Sequence, residues 1–448
     1  MNDTVATATP RSALDRLLNL FTEVRAGEAF SVLALALNIF LILTAYYLIK
    51  PVREALILSE PSGAELKSYA SAGQAVLLLV AVPAYGWLAA RVPRMRLIDS
   101  VTVFFALCLV GFYALIHAGA PMAVVFFLWV GIFNLMVPAQ FWAFANDIYD
   151  PEAGKRLFVL VAFGASSGAV FGSFLANEMI RHVGVYEMLL LGAGLLVSTL
   201  ALSHVVDRRE CDRRAGAVAK SAAMQEAPIE KGNAFGFVFR SRYLTLVAFV
   251  LLLNNWVNSS GEYILGRIVA QAATTAASGG GIAADEYVAA FYASYFGLVN
   301  LVGMLLQLFV VSRVVKYIGV PVALCLLPLI TIGSYAMIAA LPVIGVVRWA
   351  KTAENATDYS LQGTLKQILY LPTSRTEKYK AKQAIDTFFV RLGDVCAAGL
   401  VLAGVHVFGF TTTEFALATS VLSVFWLLIA IALGRRFREM VRAERESP

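Results

Sequence analysis

Asp207-Arg-Arg-Glu-Cys211-Asp-Arg-Arg214 opens a polar stretch that closes at Arg240-Ser-Arg242, and this stretch decides the architecture. Its centre, Ala215–Lys231, carries small residues and little apolar pattern, so it reads as a linker, with room for a short surface helix. On either side the chain changes character. Long apolar runs fill residues 29–206 and 243–434, each run long enough to cross a bilayer of about 30 Å. We read six spans before the linker, near 29–50, 70–90, 97–118, 121–145, 157–180 and 184–206. Six more follow, near 243–267, 287–312, 319–340, 342–370, 383–406 and 411–434. A polar, amphipathic segment (1–28) precedes the first half, and a basic tail (435–448) follows the second.

Composition agrees with a polytopic membrane protein. Hydrophobic residues make up 59% of the 448 positions and charged ones 15%, against roughly 25% charged in soluble domains. The mean hydropathy is +0.73. The first apolar run is too long for a signal-peptide core. Cys108, Cys211, Cys325 and Cys396 form no CxxC or metal-ligand spacing, and the four histidines are scattered, so neither a metal nor another cofactor is expected. The basic balance needs no nucleic acid. Most of the 36 Lys and Arg residues fall in the loops of one face, and such loops stay cytoplasmic. Both termini and the 207–242 linker are therefore predicted inside, in a bacterial inner membrane.

Two six-span halves with internal termini and a central cytoplasmic loop describe the major facilitator fold, an all-α architecture. The loop Gly86-Trp-Leu-Ala-Ala-Arg91-Val-Pro-Arg94-Met-Arg96 resembles that superfamily's glycine-and-basic loop, with Ala90 where an acidic residue is usual. Ser312-Arg313-Val-Val-Lys316 echoes it in the second half.

Charge at membrane depth persists only where it faces protein or a watery cavity. In span ten Arg348, Lys351, Asn355, Asp358, Gln362 and Lys366 recur at steps of three or four, one face of a helix. Span one aligns Tyr47, Lys50 and Glu54, with Arg53 adjacent and Pro51 expected to kink or end the membrane part. Span four aligns Asn134, Trp142 and Asn146 around Pro138, and span seven aligns Asn255, Asn258 and Glu262. Simpler readings exist for each. Lys50, Arg53 and Glu54 could snorkel to headgroups, the asparagines could glue helices, and Lys351–Glu354 could be a structural ion pair. Arg391 and Asp394, one turn apart, suit pairing with each other.

At these residues the chain resembles the ATP/ADP translocases of plastids and obligate intracellular bacteria. Phe141-Trp142-Ala-Phe144-Ala-Asn146, followed by Glu152-Ala-Gly-Lys155-Arg156, resembles that family's FWGFANQ and the acidic residue and AKR beyond it. Asp358-Tyr359-Ser360-Leu361, Lys366 and Tyr370-Leu-Pro372 resemble KYSLFDPTKEMAYIP. Lys380-Ala-Lys382-Gln-Ala-Ile-Asp386 and Arg391-Leu392-Gly393 resemble KGKAAIDV and RLGK. The resemblance implies nucleotide exchange by alternating access through charged helices. Its basic residue near the end of span one matches Arg53 or Lys50, and its later lysine matches Lys366. Its acidic residue in span four falls at Phe127 or a neighbour, and that in span seven at Asn258. Asp358 and Asp394 stand where the family carries lysine.

Two such reversals disfavour a polyphosphate, which wants Lys and Arg around it. The expected function is a secondary transporter of a small organic, anionic or zwitterionic solute. Nucleotide exchange is one alternative, and a non-transporting receptor or scaffold another. No nucleophile–base pair suggests an enzyme. The solute is expected midway across the membrane between the halves. Its candidate ligands are Tyr47, Lys50, Arg53, Trp142, Asn146, Asn258, Glu262, Asp358, Gln362 and Lys366. Asp358, Asp386 and Asp394 are candidate carriers of a coupling proton or sodium ion. The partners expected are the solute, that ion and membrane lipids, around a monomer.

Overall fold

The computed structural model describes residues 22–25, 28–89, 91–149, 151–215, 238–373 and 381–446. The first 21 residues of the amphipathic segment, the linker centre and the basic stretch Arg375–Lys380 lie outside them. Among the described residues the chain is helical throughout, as the apolar runs require, because a backbone in lipid must satisfy its own hydrogen bonds. The first half holds α1 (Ala29–Leu58), α2 (Gly63–Ala89), α3 (Arg94–His117), α4 (Ala123–Ile148), α5 (Pro151–His182) and α6 (Met188–Ala215). The second holds α7 (Arg242–Ser278), α8 (Ala284–Phe309), α9 (Val320–Ala340), α10 from Ile344, α11 (Lys382–Phe408) and α12 (Thr412–Glu446).

Eleven of these helices are long and apolar enough to cross a membrane. The remaining one, α10, is too charged to qualify by composition. It runs over Ile344–Thr357, through a π-helical turn at Asp358–Gln362, to Gly363–Ile368. Such wide turns concentrate at functional sites. Its polar stripe faces neighbouring helices α7, α8 and α9. Its other face is open, with Trp349 62% exposed. The stripe is thus a protein-facing seam and not a lipid-facing one.

Two boundaries differ from the sequence reading. Pro51 neither ends nor breaks α1, which continues to Leu58. A proline removes one backbone donor, and the tight packing on both sides holds the helix together: Ile49, Val52 and Ala55 are fully buried. At the other end of this half, α6 carries helix to Ala215, nine residues into the stretch read as linker.

The chain divides into two compact units. The first comprises Met1–Val52, Ala84–Ala120 and Val130–Met224, and the second Arg53–Pro83, Pro121–Trp129 and Gln225–Pro448. In the first unit, Gly164, Gly168 and Gly172 of α5 press onto α1. A Cβ at Gly168 would sit 2.3 Å from the carbonyl oxygen of Phe40, so only glycine admits this approach. Asn38 of α1 donates to Ser203 Oγ (2.8 Å) and to the carbonyl of Thr199 (3.1 Å) on α6. Arg94 at the start of α3 pairs with Asp207 of α6 and stands 3.6 Å from Asp147 of α4. In the second unit α9 packs along α12, and α7 lies against α11 and α12.

Candidate functional site

The second unit encloses a chain of ion pairs at the heart of its helices. Arg53 and Glu54, on the last turns of α1, pair with each other. Lys67, in the second turn of α2, sits with Nζ 2.8 Å from Glu54 Oε2 and 3.4 Å from Glu262 Oε2 on α7. Lys351 Nζ on α10 lies 3.7 Å from Glu262 Oε1 and 2.9 Å from Glu354 Oε1. Tyr335 on α9 donates to Glu354 Oε2 at 2.7 Å. The residues are deeply enclosed: Glu54 and Lys351 are 0% exposed and Glu354 2%.

Neutral groups complete the network. Asn355 donates to Glu262 Oε1 (3.1 Å) and to the hydroxyl of Tyr295 on α8 (2.8 Å), and accepts from Asn258 (3.1 Å). Lys351 also reaches the carbonyl of Asn258 at 3.4 Å. The ammonium of Lys67 lies over the Tyr292 ring, and the guanidinium of Arg53 over Phe127. Gly261 makes this possible. A Cβ there would fall 1.9 Å from Tyr335 Oη and 2.9 Å from Lys351 Nζ.

Two features set what this cluster can do. Its cations (Arg53, Lys67, Lys351) and carboxylates (Glu54, Glu262, Glu354) match in number. Its most accessible carboxylate is also the one that stands farther from both lysines. The Glu262 side chain is 23% exposed, whereas those of Glu54 and Glu354 are 1% and 2%. Each lysine is closer to its other partner than to Glu262. An incoming ammonium can take the place of either lysine at Glu262 without stranding it.

The sequence-predicted residues distribute as follows. Arg53, Asn258 and Glu262 belong to the cluster. Asp358 lies one turn along α10 and accepts from Asn254 of α7 at 3.1 Å. It therefore pairs with neither Lys351 nor Lys366 among the described ion pairs. Lys366 instead meets Asp386 of α11 at 3.0 Å. Gln362 is buried, its Nε2 without a hydrogen-bond partner among the described residues. Asp394 accepts from Ser259 (2.6 Å) and pairs with Arg391 (3.3 Å), the local pairing expected. Asn255 donates to the carbonyl of Val390 at 2.7 Å, which makes it helix glue.

Tyr47, Lys50, Trp142 and Asn146 fall in the first unit. Lys50 does not snorkel; it is 8% exposed, with its ammonium over the rings of Tyr46 and Tyr47. Trp142 packs edge-on against Phe141 and Phe158, and Asn146 is exposed.

Sequence reasoning missed Lys67, Tyr295 and Tyr335. Lys67 stands near the start of α2, and no polar periodicity marks it. The two tyrosines sit in apolar runs where an aromatic is ordinary, and only their buried hydroxyls, which need partners, signal a polar neighbour.

Comparison with known proteins agrees with the resemblance read from the motifs. A family profile described as "TLC ATP/ADP transporter" matches residues 7–128. The "ADP,ATP carrier protein 1" of Chlamydia trachomatis serovar D is 23% identical, over 96% of this chain and 93% of that protein. Both are likenesses to ATP/ADP carriers, the first over part of the chain and the second at low identity over nearly all of it. Among solved structures, a POT family transporter in complex with 5-aminolevulinic acid superposes with a TM-score of 0.62 at 12% identity, covering 91% of this chain and 96% of that one. The nucleoside transporter NupG gives 0.60 at 11%, covering 92% and 99%. A bacterial homologue of the iron transporter ferroportin gives 0.60 at 11%, covering 91% and 98%. The fold is that of the major facilitator transporters.

Proposed function

We propose that this divergent relative of the ATP/ADP translocases is a secondary transporter for a small zwitterionic organic solute, whose ammonium is received by Glu262. The observation that carries the reading is the charge balance of the buried cluster, with Glu262 its most accessible carboxylate and the more distant partner of both lysines. A polyphosphate would need Lys67 and Lys351 released from Glu54 and Glu354, leaving buried carboxylates uncompensated. An ammonium at Glu262 asks for no such loss. Arg53, which pairs with Glu54, is the group suited to the solute's carboxylate, because its planar fork of donors matches a carboxylate's two oxygens. Asp358, Asp386 and Asp394 remain the proposed carriers of a coupling proton or sodium ion. We place both termini in the cytoplasm, on the charge of the loops, and the protein in a bacterial inner membrane as a monomer.

Nucleotide exchange is the second reading, favoured by the family profile and the chlamydial relative. One screen separates the two. Purified protein is heated with neutral amino acids and short peptides, or with ATP and ADP, and hits are tested for counterflow in proteoliposomes. Saturable counterflow of a zwitterion, lost in Glu262→Gln, supports the first reading. Rapid counterflow of labelled ATP refutes it and establishes the second.

A further inference from the structure

A second polar site lies in the first unit and shares no residue with the charged cluster. A half-open pocket is bounded by α1, α3, α4 and α6, with about 20 Å³ of room in all, enough for one small polar group. Gln140 of α4 lines it and is 6% exposed, yet neither Oε1 nor Nε2 has a hydrogen-bond partner among the described residues. Asn38 of α1 lines it too. Its Nδ2 is committed to Ser203 and Thr199, which fixes the orientation of the amide and leaves Oδ1 unpartnered. Buried polar atoms are almost always paired. Three orphans on one pocket therefore describe the complement of a missing group.

The orphans are two acceptors (Gln140 Oε1, Asn38 Oδ1) and one donor (Gln140 Nε2). The complement has two donors and one acceptor, and it carries no charge, because no ionisable side chain lines the pocket to compensate one. A carboxylate offers no donor, and an ammonium offers no acceptor. A primary carboxamide offers both N–H groups and the carbonyl on one planar unit. Ile98, Val137, Phe141 and Phe144 complete the lining with apolar walls, so the rest of a bound molecule would extend through the open mouth. Phe141 and Phe144 belong to the run that carries the family resemblance, so this run builds a pocket floor as well as a helix.

We propose that this pocket binds an organic molecule through an uncharged primary amide, held by Gln140 and Asn38. The site does not depend on which solute the charged cluster takes.

The test uses three pyridines of matched size: nicotinamide, nicotinate and 3-(aminomethyl)pyridine. Binding to the purified full chain in detergent is measured by ligand-observed NMR saturation transfer. Nicotinamide is expected to bind saturably, at least tenfold more tightly than either charged analogue. Gln140→Leu, which keeps size and removes the orphaned atoms, should weaken it by tenfold or more. Thr102→Val, on the same pocket but outside the orphan set, should change it by less than threefold. Equal binding of all three probes, or nicotinamide binding unchanged in Gln140→Leu, overturns the proposal. So does no binding by any probe, which would mean that ordered water alone fills the pocket. If Gln140→Leu does not fold, the order of the three probes on the wild-type chain decides the matter.

Discussion

Lys351→Met is the sharpest test of the charged cluster. Lys351 is fully buried, with Nζ 2.9 Å from Glu354 Oε1, 3.7 Å from Glu262 Oε1 and 3.4 Å from the Asn258 carbonyl. Methionine fills similar space without the charge. Glu262 keeps Lys67 and Asn355 after the change, so its loss is small. Glu354 keeps only the Tyr335 hydroxyl at 2.7 Å among its described partners. A buried carboxylate is thus left without its cation, and breaking a buried pair from one side costs about 3–5 kcal/mol. The double substitution Lys351→Met with Glu354→Leu removes both charges. Apolar replacement of a whole buried pair is commonly neutral or stabilising, so the double variant should recover most of the loss. Stability is read by thermal unfolding in detergent, and function by counterflow per folded molecule. The double variant is expected to fold near wild type and transport poorly, since the electrostatics around Glu262 have changed. A single variant as stable as wild type would refute the ion-pair reasoning. A double variant that transports normally would remove Lys351 and Glu354 from the transport machinery.

Gly261→Ala places a methyl group 1.9 Å from Tyr335 Oη, and overpacking of this kind costs about 1–3 kcal/mol; Tyr335→Phe should relieve part of it, as unfolding midpoints of the single and double variants will read out. Asp358→Asn keeps a partner for Asn254, so yield should hold; a steep fall in transport would place Asp358 on the path, and normal transport would make it structural. Lys366→Gln strands Asp386 of α11, and Lys366→Gln with Asp386→Asn should restore yield if the pair is only structural. A single cysteine at Ala223 should resist impermeant maleimide in intact cells, because the proposed orientation puts the linker inside; ready labelling would contradict it.

The fold was legible from a few physical signals. Apolar length gave the spans, eleven of which return as helices long and apolar enough to cross a membrane among the described residues, while the compact units cut across the expected six-and-six division. The boundaries were less so, because helix does not stop at the membrane surface: α6 and α12 carry charged turns well past their apolar windows. Pro51 misled for a related reason. Propensity is local, and packing of α1 on both sides overrode it.

Charge on α10, where five charges in one span cannot all face lipid, pointed to a polar interior, and helical spacing brought in Arg53, Asn258 and Glu262 from α1 and α7. Periodicity shows which residues share a face, but not what stands opposite. Opposite Glu262 stands Lys67, from a helix with no polar stripe to announce it. The same blindness applies to Asp358, which the sequence placed on the polar face of α10 and which the structure brings to Asn254 on α7. What decides the chemistry is therefore the order of distances at Glu262. Two lysines reach it, and each is nearer to a different carboxylate. A carboxylate shared this way is held in place by charge yet committed to neither cation. It can accept a third cation from a solute while both lysines keep their closer partners, and that is the property a transient binding site requires.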